Sequence, residues 1–90
     1  MMYPYIQFAD GTEVVHSQLI KEGSNGEKVI VHFERPTENG FDVARCELPE
    51  YRWIERTGYS DEEMEEFADF LHSNAHLIFK YANNGGIQIA

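Results

Sequence analysis

The ninety residues predict an α+β domain, a four- to five-stranded antiparallel meander followed by one long C-terminal helix. Three observations carry that expectation. Glycine-containing turn signals recur at Asp10-Gly11, Gly23-Ser24-Asn25-Gly26 and Thr37-Glu38-Asn39-Gly40. Runs rich in Val, Ile, Phe, Tyr and Thr lie between them, as hairpin strands require. Beyond Ser60 the apolar spacing changes to the helical period.

The turns delimit strands over about 3–9, 12–20, 28–35 and 41–48. The third is the clearest, because Val29, Val31 and Phe33 alternate with Lys28, His32 and Glu34, which buries one face and wets the other. In the fourth, Ala44, Cys46 and Leu48 share a face, while Phe41 and Val43 occupy the other, so both faces read as partly covered. The segment 49–59 carries Tyr51, Trp53 and Tyr59 and has the alternation of a fifth strand or an ordered connection. Its aromatics either close the end of the core or form a recognition patch.

Ser60 with Glu63 three positions later is a capping box, and Asp61, Glu62 and Glu63 complement the positive end of the helix dipole. The helix is expected over 61–83, ended by Asn84-Gly85-Gly86. Residues 87–90 alternate like a short edge strand but are placed to fray.

Length and charge bound the function. A chain this short is one domain with a small core, for which a second copy supplies missing burial. The formal charge of -9 is spread along the chain, with eight acidic against four basic residues through Leu48 and eight against three beyond it. Such a surface repels phosphate backbones and anionic lipid, so neither nucleic acid nor a membrane is expected as partner. The single cysteine, Cys46, has no partner for an internal disulfide, and the first residues lack a secretory pattern; a reducing, cytoplasmic setting is expected.

One cluster has metal-ligand spacing. Glu65, Asp69, His72 and His76 fall within about 60° on the helix face opposite the apolar stripe, and His72 and His76 are an i, i+4 pair suited to Zn or Ni. The residue after His72 is Ser73 rather than the glutamate a metalloprotease uses, so the cluster reads as a metal site or as a solvated face. His16 and His32 are expected on the less buried faces of neighbouring strands, and Cys46 as a small buried hydrophobe. The acidic run from Asp61 to Asp69 is a solvated helix start or a patch for a basic protein, including the possibility of a decoy of nucleic acid.

Tyr3-Pro4-Tyr5 with Asp10-Gly11-Thr12-Glu13 and His16-Ser17, then Leu48-Pro49-Glu50-Tyr51-Arg52-Trp53 and Asn74-Ala75-His76-Leu77-Ile78, resemble small uncharacterised acidic bacterial proteins of mobile elements. The resemblance covers most of the chain and implies a bacterial cytoplasmic setting without a particular activity. The order of strands and helix is also similar to that of dimeric single-stranded-DNA-binding coactivators, whose basic sheet this chain lacks.

The expected function is a non-enzymatic interaction or regulatory module acting as a homodimer, with no catalytic residues. A metal-binding protein or metal-dependent enzyme at the helix cluster is the alternative. The helix carries an apolar arc of roughly 200°, wider than one sheet covers. Met64, Leu71, Ala75, Ile78 and Ala82 should pack on the strands. Phe70, Leu77 and Tyr81 then form a margin for the second copy, with Tyr51 and Trp53 as further interaction residues or as an intrachain cover.

Overall fold

The computed structural model describes residues 1–23 and 26–86; the turn residues Ser24 and Asn25 and the tail 87–90 lie outside them. The elements are β1 (Met2–Gln7), β2 (Glu13–Ser17), β3 (Ile20–Lys21), β4 (Glu27–Thr37), β5 (Gly40–Leu48), β6 (Arg52–Thr57) and α1 (Asp61–Asn83). All pairings are antiparallel, in the order β1-β2-β4-β5-β6, with β3 continuing beside β4. The α+β meander and terminal helix are the fold the sequence predicts.

The strand expected at 12–20 is broken in two. The pairing with β4 slips by one residue between β2 and β3, and at the slip the Ser17 hydroxyl, rather than a backbone carbonyl, accepts the Ile30 N–H at 3.0 Å. The second hairpin extends further into its turn than the sequence suggests. Thr37 pairs Gly40, leaving Glu38-Asn39 as a two-residue loop. The segment after Leu48 does become a strand, β6.

One face of the sheet is the core. Val14, Val29, Val31, Phe33, Ala44, Cys46 and Leu48 point into it and meet Met64, Phe67, Leu71, Ile78 and Ala82 of α1. Phe33 stacks on Phe67 with centroids 4.2 Å apart, and Tyr59 closes edge-on against Phe67 at 4.8 Å. His16 belongs to this face, contrary to the expected exposure. It is fully buried, opposite Val31, whereas His32 lies on the other face opposite Val15. The sequence suggests otherwise because a histidine between Val15 and Ser17 reads as a break in the apolar alternation; the register makes it part of the alternation Val14, His16.

The helix begins as its sequence signal requires. Ser60 accepts the Glu63 N–H at 3.1 Å, and Glu63 accepts the Ser60 N–H at 3.0 Å. It ends where Gly85, at φ +79°, turns the chain so that the Gly86 N–H reaches the Tyr81 carbonyl at 2.7 Å. Among the described residues no helix is long and apolar enough to cross a membrane.

The opposite sheet face has no layer over it among the described residues. Val15, Ile30, His32, Glu34, Val43, Arg45 and Glu47 alternate with the core residues there and are half-buried. Its charges are mixed: Arg45 pairs with Glu55 at 3.1 Å, and Arg52 with Glu47 at 3.0 Å.

Candidate functional site

Arg35 organises the most connected polar group in the molecule. The two-residue turn places it opposite Asp42 across the β4–β5 hairpin, and its Nε and Nη2 both donate to Asp42 Oδ2, at 3.0 and 2.8 Å. Nη1 donates to Asp10 Oδ2 at 2.9 Å and to Glu63 Oε2 at 2.8 Å. The guanidinium also lies 4.8 Å from the centre of the Tyr59 ring. One side chain therefore ties together the β1–β2 turn, the central hairpin and the start of α1.

Each carboxylate has a second anchor or a tight wall. The Asp10 Oδ1 accepts the Thr12 N–H at 2.9 Å, and the Glu63 Oε1 is the one engaged in the helix cap. Those backbone donors, followed by Arg35, hold both acids below their ordinary range. Asp42 is pressed against Gly58, where an added Cβ would meet Oδ1 at 1.9 Å, so this close approach needs glycine. Tyr59, buried beneath, shares a hydrogen bond of 3.2 Å with Thr12, and its phenol is shifted upward chiefly by burial.

Beside this group runs a groove of about 400 Å³. Phe8, Phe67 and Phe70 line it, with Asp10, Glu63 and Glu66 at its rim. Phe8 and Phe70 meet edge to face at 5.1 Å. No sequence motif marks Arg35, Asp42 or Phe8 as functional, and Asp10 stands out only as a turn residue. The strand bounds expected at 35 and 41 stop short of this link; it takes the two-residue loop at Glu38-Asn39 to set Arg35 opposite Asp42. Nothing local announces that Asp10 and Glu63 converge on the same guanidinium from fifty residues apart.

The helix cluster is spread along its axis. Glu65, Asp69, His72 and His76 are all exposed, and the eleven residue steps from the first to the last correspond to about 16 Å of rise. Among the described residues no group of three or more His, Cys, Asp or Glu is placed to hold a metal ion. His72 has a different neighbour. Tyr51, held at φ 58°, stacks on its ring at 4.0 Å and 14°.

The helix margin is partly covered from within the chain, by β1 rather than by the Trp53 segment. Tyr5 meets Phe70 and Tyr81 with centroids 6.0 Å apart in each case, and its hydroxyl donates to Asn74 at 2.7 Å. Phe70 and Tyr81 of the expected dimer margin are half-buried, with Tyr5 of the edge strand β1 against them. Leu77 is half-buried. Trp53 packs on Phe33 at 5.9 Å, closing the core on the β6 side.

Two groups suited to reaction chemistry are buried and quiet. Burial, followed by the charge of Glu47, pushes the Cys46 thiol up to about 12, so it carries no thiolate at neutral pH. His16 donates from Nδ1 to the Ser17 carbonyl at 2.8 Å, and its Nε2 has no hydrogen-bond partner among the described residues. No protein-family model matches this chain, and comparisons with curated proteins and with solved structures find no match.

Proposed function

We propose that the protein is a non-enzymatic interaction module that acts as a homodimer through the open face of its sheet. The observation that carries this reading is the half-buried β-face that no element covers among the described residues. A ninety-residue chain with one helix covers its sheet on one side, and sheet-on-sheet packing about 10 Å apart is the usual way to bury the other.

The alternatives on the surface favour it less. The β1 edge carries Pro4 and a register shift between Pro4 and Ile6, and the β6 edge carries Arg52, Glu55 and Arg56; both are features that guard an edge against pairing. The helix presents six acids against Lys80, so two helices would repel. The open face interleaves Lys28, Arg45 and Arg52 with Glu34, Glu47 and Glu55 around Val15, Ile30 and Val43. That mixture is self-complementary across a two-fold axis.

Sedimentation equilibrium at micromolar concentration tests the reading. A dimer is expected for the native chain, a folded monomer for Ile30→Glu, and an unchanged dimer for Leu77→Glu. A monomeric native chain sinks the proposal, and dissociation by Leu77→Glu alone moves the interface back to the helix margin.

A further inference from the structure

We infer that the groove between the β1–β2 turn and α1 is a docking site for an arginine side chain of a basic protein segment. Its construction suits a cation with a long apolar stem. Half-buried Phe8 and Phe70 form the floor over the core ring of Phe67, and a methylene chain and the flat face of a guanidinium both pack favourably on such rings. The rim supplies three carboxylates, two of which also accept from Arg35 behind them. Asp10 and Glu63 are already held in place, each by Arg35 and by a backbone N–H, so they need no reorganisation to receive a second cation.

Arg35 leaves the acids in excess. It is the single cation among Asp10, Asp42, Glu63 and Glu66, and Glu66 is exposed with no ion pair among the described residues. A carboxylate oxygen accepts more than one hydrogen bond, so Asp10 and Glu63 keep acceptor capacity beyond Arg35. An open groove of about 400 Å³ has room for one long side chain.

Other occupants fit less well. An anion meets three carboxylates, a bare metal ion gains nothing from three phenyl rings, and a purely apolar side chain strands the rim charges. The overall charge of -9 steers a basic segment toward this surface and discriminates against acidic partners. This site is distinct from the open sheet face, so it stands whether or not the chain dimerises.

The test uses a fluorescein-labelled nonapeptide with a central arginine flanked by lysines, and the same peptide with citrulline at the centre. Citrulline keeps the shape and loses the charge. Anisotropy titrations of the full chain are expected to show binding at least tenfold tighter for the arginine peptide. Glu66→Gln should weaken it several-fold, and Glu65→Gln, one residue away but outside the groove, should leave it within twofold. Amide shifts in a ¹⁵N spectrum should concentrate at Phe8, Asp10, Glu66 and Phe70. Equal affinity for the two peptides overturns the inference, as does absence of binding. Equal weakening by both glutamine variants, with shifts spread along α1, overturns it in favour of diffuse attraction to the acidic helix.

Discussion

Replacing Arg35 by Met should cost about 3 kcal/mol of folding stability. The change keeps the linear stem over Tyr59 and removes four hydrogen bonds to three carboxylates. The partners are unequally shielded: the side chains of Asp42, Glu63 and Asp10 are 18%, 28% and 46% exposed. The Asp10 contact resembles a surface pair, worth about 0–1 kcal/mol. Asp42 and Glu63 approach the buried case, in which hydrogen bonds to charged groups contribute about 1.5–3 kcal/mol each. Partial solvation and non-additivity bring the sum to about 3 kcal/mol, still below the 3–5 kcal/mol range's upper end for breaking a fully buried pair.

Acid gives the same reasoning a second reading. Asp10 and Glu63 have folded pKa values below their ordinary 3.8 and 4.5, so their contribution is present above those values and is lost as pH falls through the lower folded ones. In Arg35→Met the same acids face one another without a cation, and protonation relieves them. The stability gap between the two proteins should therefore be largest near neutrality and shrink below about pH 4.5. Urea denaturation from pH 7 to pH 3.5 measures it. A loss under about 0.5 kcal/mol, or a gap independent of pH, would refute the assignment of Arg35 as the tie between turn, hairpin and helix.

Ser60→Ala should cost about 1 kcal/mol by denaturation, because the Glu63 N–H loses its acceptor and the reciprocal half of the capping box loses its geometry; unchanged stability would remove the cap from the account of this helix start. His16 makes stability sensitive to mild acid. Burial lowers its pKa below 6.5 against the opposing Ser17 hydrogen bond, so its stabilising contribution is intact above pH 6.5 and is lost as pH falls from there toward the folded value. His16→Asn keeps a donor for the Ser17 carbonyl without titrating in this range, and its urea midpoint should fall less between pH 7.5 and pH 5.5 than that of the native chain. Equal falls would assign the acid sensitivity to His32, whose pKa is also lowered, chiefly by burial and then by Arg45.

Elements whose cause is local were legible in the sequence. The helix start at Ser60, its stop at Gly85, the presence of a turn at Thr37-Glu38-Asn39-Gly40 and the buried alternation of Val29, Val31 and Phe33 each rest on a few neighbouring residues. Tertiary structure decided the rest, because each remaining feature depends on which distant segment fills a space. An apolar arc on a helix says that something covers it, and not that Tyr5 of the first strand and Phe8 just beyond it do so. A histidine beside Val15 says nothing of its face until the register with Val31 sets it in the core. Angular proximity on a helical wheel brought Glu65 and His76 together, while rise along the axis kept them apart. Arg35 is the fullest case. Its strand and its partner Asp42 follow from the hairpin, but the convergence of Asp10 and Glu63, and with it the acidic aromatic groove, exists only once the first turn and the last helix meet over the same sheet.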